Sequence, residues 1–122
     1  MKINLIINSQ ETGNVLETKI IKAIKKADNK STVYKYIDDI SRISIEIFEN
    51  SVIIKREGKV RSEIVLKKGT KTSFNYFSQY MNANFNLFTK NLEILVNGLK
   101  VSYVISQNGN FINEINLSII EK

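Results

Sequence analysis

The sequence predicts an all-β fold, most simply an antiparallel barrel of about 8–10 strands. Three observations point there. Apolar and polar residues alternate with period two in segment after segment. Turn signals recur about every 8–12 residues from Ser31 onward, the spacing of a β-sandwich or barrel. The 122 residues contain no proline, so no strand is interrupted. Alternation buries one face and wets the other, as antiparallel sheets allow. Closure into a barrel would remove the open edges that invite aggregation. No linker, repeat or low-complexity tract divides the chain, so residues 1–122 read as one domain.

Lys2–Asn8 is a first strand through Ile3, Leu5 and Ile7, and Ser9–Asn14 with Gly13 is a turn or loop. Val15–Ala27 is ambiguous. Leu16, Ile20, Ile24 and Ala27 follow helical spacing among Lys19, Lys22, Lys25 and Lys26, so local pattern slightly favours a helix. As a strand, Leu16, Thr18, Ile20, Lys22 and Ile24 would share a face. Asp28-Asn29 makes a turn. Ser31–Asp38 is a strand with Tyr34, Tyr36 and Asp38 on one face and Val33, Lys35 and Ile37 on the other. Ile43–Glu49 aligns Ile43, Ile45 and Ile47, and Asn50-Ser51 turns the chain.

Ser51–Gly69 reads as two strands around a tight turn at Glu57-Gly58. Val52, Ile54 and Arg56 share a face, so a cation stands on an apolar parity. After the turn, Val60, Ser62, Ile64 and Leu66 align against Arg61, Glu63 and Lys67. Lys71–Ser78 carries Phe74, Tyr76 and Ser78 on one face, and Tyr80–Asn82 is a weak turn. Asn84–Lys90 aligns Phe85, Leu87 and Thr89, and Leu92–Val96 reads as a separate short strand. Asn97-Gly98 and Asn108-Gly109 are hairpin signals, with Leu99, Val101, Tyr103 and Ile105 between them. The last strand points Ile115, Leu117 and Ile119 inward.

Composition excludes several chemistries. The chain has no Cys and no His, which removes disulfides, thiolate catalysis, the usual zinc sites and imidazole acid–base work. Asp38 and Asp39 are neighbours on a strand and face opposite ways, so they do not form a carboxylate pair. The five glycines are scattered, each suited to a turn, and build no phosphate loop. We therefore expect neither an enzyme nor a bound cofactor or metal. The N-terminus lacks a signal-peptide core, and no window reaches the roughly 20 apolar residues of a membrane-spanning helix, so a cytoplasmic protein, monomeric or homodimeric and without membrane attachment, is the expectation. The net charge of +6 invites a nucleic-acid reading, but Lys used as a default surface residue accounts for it without a partner.

The order of several short motifs carries a resemblance. These are Tyr36-Ile37-Asp38, Arg56-Glu57-Gly58, Gly69, Tyr76-Phe77-Ser78, Phe85-Asn86-Leu87-Phe88-Thr89 and Val101-Ser102-Tyr103. In that order and spacing the chain resembles, over essentially its whole length, the YwiB-like family of bacterial proteins, a domain of unknown function with a calycin-type, lipocalin-like β-barrel. The resemblance implies that Val15–Ala27 is a strand, and that reading is adopted here because tertiary context commonly overrides helix propensity. It carries no activity to transfer. Ser78 and Tyr80-Met81-Asn82 depart from the family's pattern at one turn.

The candidate site follows from parity. An inward Arg56 must be paired or hydrogen-bonded, and Asp38 is the available partner. Tyr36, Tyr76, Thr89 and Tyr103 add hydroxyls on largely apolar parities. Together they would grip the carboxylate or phosphate of a small amphipathic ligand, between walls such as Ile54, Ile64, Phe74, Phe85 and Val101. The competing reading makes Arg56 an internal clamp in a barrel filled by its own side chains. The alternative function is single-stranded nucleic-acid binding through Lys19, Lys22, Lys25 and Lys26, with Tyr34 or Tyr36 stacking bases.

Overall fold

The computed structural model describes residues 1–122 as ten antiparallel strands in one sheet. They are β1 (Lys2–Glu11), β2 (Glu17–Ala27), β3 (Thr32–Ile37), β4 (Ser41–Ile47), β5 (Val52–Gly58), β6 (Ser62–Leu66), β7 (Lys71–Phe77), β8 (Asn82–Leu95), β9 (Gly98–Gln107) and β10 (Asn110–Glu121). The order β6-β5-β4-β3-β2-β1-β10-β9-β8-β7 is an up-and-down meander whose first and last strands pair. The sheet curls until β6 meets β7, which makes a nearly closed barrel. No helix is long and apolar enough to cross a membrane.

Alternation builds the core as the sequence leads one to expect. Leu5, Ile7, Ile43, Ile45, Ile47, Val52, Ile54, Leu66, Leu87, Leu99, Val101 and Ile119 are buried inside, from seven of the ten strands. Asn108 and Gly109 both take positive φ, as a two-residue hairpin turn between β9 and β10 requires.

Three local expectations are corrected. Residues 17–27 form the strand that the resemblance implies, against the helix that their spacing locally favours. Pairing to β1 from Lys2↔Ile24 to Ser9↔Glu17 supplies backbone bonds that a four-residue apolar spacing does not announce. The tight turn at Glu57-Gly58 is displaced. Gly58 stays extended opposite Ser41, and the chain reverses at Lys59-Val60. Asn84–Lys90 and Leu92–Val96 are not separate strands. They join in β8 through a bulge between Thr89 and Asn91, which restores inward parity to Leu92 and Ile94.

That bulge also fastens the seam. Arg61 and Phe77 exchange backbone hydrogen bonds of 2.8 and 3.0 Å, the one backbone bridge between the β6 and β7 sides. Beyond it the 67–70 turn hooks onto β8. The Gly69 N–H donates to the Thr89 carbonyl at 2.8 Å, the Thr89 N–H donates to the Thr70 carbonyl at 3.1 Å, and the Lys67 N–H donates to Thr89 Oγ1 at 3.3 Å. Thr89 is fully buried. Replacing it with Val leaves the Lys67 N–H without its acceptor, and equilibrium denaturation should show a loss of about 1–2 kcal/mol. An unchanged midpoint would mean the seam does not depend on this hydroxyl.

Candidate functional site

Strand polarity gives the barrel two chemically different ends. At one end β3 starts and β10 finishes. There Tyr34 OH and Lys25 Nζ both donate to Glu121 Oε2, each at 2.7 Å. Burial alone would raise the Glu121 carboxyl, but the two hydrogen bonds and the Lys25 charge outweigh it and hold it below its ordinary value. Burial, reinforced by the Glu121 carboxylate, pushes the Tyr34 hydroxyl well up. This end carries its own polar triad.

The other end holds an interior cavity of about 300 Å³. Its apolar wall includes Ile54, Ile64, Ile115 and Leu117, and its polar lining includes Ser9, Tyr36, Asp38, Arg56, Ser62 and Tyr103. Glu11, Glu17 and Lys19, all exposed, complete the lining and form its rim. Arg56 is inward because β5 keeps its alternation from Val52 through Ile54.

Arg56 takes part in none of the ion pairs, which join Lys25 to Glu121, Lys55 to Glu57 and Lys90 to Glu114. Asp38, the expected partner, is engaged elsewhere. Its Oδ1 accepts the backbone N–H groups of Ile40 at 2.9 Å and Ser41 at 2.7 Å, shaping the β3–β4 turn. No side-chain nitrogen or oxygen is buried without a hydrogen-bond partner. The guanidinium nitrogens are therefore not sealed from solvent, and Arg56 is part of the cavity lining. Burial pushes the Tyr103 hydroxyl up to about 12 and raises that of Tyr36, while the nearby Arg56 charge opposes both shifts. Both tyrosines thus stay protonated donors at neutral pH.

Of the sequence-derived set, the structure brings Arg56, Tyr36, Asp38 and Tyr103 to one cavity. Tyr76 and Thr89 are not among its lining. Tyr76 sits half-buried on β7, opposite Ala83, across the barrel seam, and Thr89 belongs to the seam itself. Ile54 and Ile64 do line the cavity, but Phe74 and Phe85 pack on each other at 5.6 Å between ring centroids, outside it. Ser9 and Glu11 could have been found by extending the Ile3-Leu5-Ile7 parity. Glu17 and Lys19 face the cavity only because residues 17–27 are a strand, which their local spacing does not announce.

The lysine set is divided by that strand. Lys19 and Lys25 share the inner parity with Ile21 and Ala23, whereas Lys22 and Lys26 point outward. Lys25 is spent on Glu121, and Tyr34, only 1% exposed, is out of reach of a base. The four lysines do not form one phosphate-binding face.

No curated protein matches the chain. Among solved structures, the crystal structure of ywiB protein from Bacillus subtilis is similar, with a TM-score of 0.74 over 99% of this chain and 92% of that one. The identity is 14%, so the likeness speaks to the fold alone. A family described as a domain of unknown function, DUF1934, matches residues 3–119. With ten antiparallel strands closing on one another over that same span, the chain belongs to the DUF1934 family.

Proposed function

We propose that this barrel is a non-catalytic binding domain for a small amphipathic ligand carrying one anionic group. The observation that carries the reading is Arg56: a guanidinium on an otherwise isoleucine-rich cavity wall, with no carboxylate paired to it and its nitrogens not sealed from solvent. A ligand carboxylate or phosphate would take two parallel hydrogen bonds from the fork, with Tyr36 and Tyr103 as further donors. The apolar part would lie against Ile54, Ile64, Ile115 and Leu117. The volume is at the low end of the ~300–1,000 Å³ of small-molecule sites, so the ligand is small. Glu11, Glu17 and Asp38 around the same space disfavour a polyanion inside.

Native mass spectrometry of gently purified protein, followed by calorimetric titration with short-chain to medium-chain carboxylates, tests this. Arg56→Met keeps much of the side-chain volume and removes the charge. It should leave the denaturation midpoint unchanged or raised, since no ion pair is broken. Carboxylate affinity should fall about 10- to 150-fold, the worth of charge-assisted hydrogen bonds. Equal affinity in the variant, or a bare chain mass with no carboxylate uptake, would overturn the reading.

A further inference from the structure

A concavity of about 1010 Å³ lies on the outside of the barrel, across β1 to β5. It arises where the wall opens. β2 and β3 pair only over Ile24–Ala27 and Thr32–Lys35, so beyond Ile24 and Lys35 the rungs stop and the strands splay. Tyr36 and Ile43 stand between this groove and the interior cavity, lining both.

Register places the groove's outward side chains in two rows across the strands. One row runs Lys2, Ile24, Lys35, Ser44 and Lys55, each paired with the next. The other runs Asn4, Lys22, Ile37, Arg42 and Glu57, paired at every step except across the split. Each strand therefore supplies one cation, alternately from the two rows: Lys2, Lys22, Lys35, Arg42, Lys55. With strands about 4.8 Å apart and the rows about 6.8 Å apart, successive cations stand about 8 Å from one another in a zigzag. Lys55 is paired with Glu57 at 3.0 Å, and the other four are in no ion pair. Between them lie Ile24 and Ile37, 49% and 73% exposed.

This is not an evenly spread lysine surface. The outer face of β1–β5 carries Lys2, Lys22, Lys26, Lys35, Arg42 and Lys55 against Glu46 and Glu57. The outer face of β6–β10 balances Lys71, Lys90 and Lys100 with Glu63, Glu93 and Glu114, and Lys90 is paired with Glu114. Among strand positions the unbalanced positive charge is on β1–β5, while Lys59, Arg61, Lys67 and Lys68 are exposed in the turns that flank β6.

We propose that this groove binds single-stranded nucleic acid, its phosphates following the five cations across the strands and its bases resting on Ile24, Ile37 and the accessible edge of Tyr36. A track that crosses the strands does not suit an acidic peptide adding to the sheet, which would run along them. A concave line does not suit a flat anionic bilayer. The groove shares Tyr36 and Ile43 with the interior cavity, but none of its five cations lines that cavity.

The test is fluorescence anisotropy of the full chain with a labelled 12-nucleotide oligothymidylate. Five phosphate contacts give a log–log salt slope of about −3.5, hence a roughly hundredfold loss of affinity from about 50 to 200 mM salt. The triple variant Lys22→Gln, Lys35→Gln, Arg42→Gln should flatten that slope by about 2 and lower affinity at low salt at least tenfold. Lys71→Gln, Lys90→Gln, Lys100→Gln removes the same charge from the opposite side and should change neither. All six positions are exposed, and circular dichroism checks that both variants keep the β-fold. Equal losses in the two triples would reduce the effect to net charge and overturn the proposal. So would absent oligonucleotide binding, equal competition by polyglutamate, or capture by anionic vesicles alone.

Discussion

Replacing Gly98 with Ala should destabilise the barrel by about 3 kcal/mol or more, enough to unfold much of the population of a marginally stable domain. Gly98 opens β9 and pairs on both sides, with Leu95 of β8 and Ile120 of β10. Its φ of +156° is one that side-chain-bearing residues rarely adopt. A Cβ there would collide with the Ile119 carbonyl oxygen and stand 2.9 Å from the Ile120 Cα. Both obstacles are backbone within the β10 ladder, so neither gives way without breaking cross-strand hydrogen bonds. Gly69→Ala separates clash from strain. Gly69 also has positive φ, +76°, but nothing lies within 4 Å of its added Cβ. It should lose only about 1–2 kcal/mol. Urea denaturation of the three proteins checks this. Gly98→Ala with the stability of Gly69→Ala would show that the β9–β10 ladder can shift to admit a methyl group.

Glu121→Ala should have the next largest effect, a loss of about 2–4 kcal/mol. It strips the acceptor from the Tyr34 hydroxyl, in a residue only 1% exposed, and leaves Lys25 without its partner. The loss stays near the lower end for a broken buried pair, because the Lys25 and Glu121 side chains keep 19% and 18% of their surface in solvent. Glu121→Gln should lose less, since an amide oxygen still accepts from Tyr34. The pair also sets an acid limb. The folded protein holds the Glu121 carboxyl below its ordinary value of 4.5, so on acidification the unfolded chain takes up this proton first. The triad's stabilisation is therefore complete above about pH 4.5 and is lost as pH falls through the lowered folded value. Denaturation midpoints measured from pH 7 down to about pH 3 should fall more steeply for the native chain than for Glu121→Gln. Parallel curves would mean that the triad is not linked to acid unfolding.

Arg56 shows where reading a sequence stops. Its inward parity follows from Val52 and Ile54 alone, because period-two alternation is a local property. Its company does not. Asp38 has the right parity to pair with it, yet the carboxylate is captured by the N–H groups of Ile40 and Ser41, two and three residues away. A short-range backbone bond of this kind forms with little loop-closure cost, whereas a contact between β3 and β5 waits for the sheet. Lys25 is the converse case. Among four similar lysines, nothing nearby in sequence marks it as the partner of Glu121, 96 positions away.

By itself the sequence determined that this protein is an all-β chain, which side chains of most strands face inward, and which chemistries its missing Cys and His forbid. These rest on alternation, turn residues and inventory, all of them local or additive. Only the tertiary structure decided that Thr89 fastens a seam and that Tyr76 stands away from the cavity. It also decided that five cations from five strands fall on one line. Each of these depends on register between segments far apart in the chain. Register is set by the closing of the whole sheet, in which a slip of one residue turns every side chain to the other face.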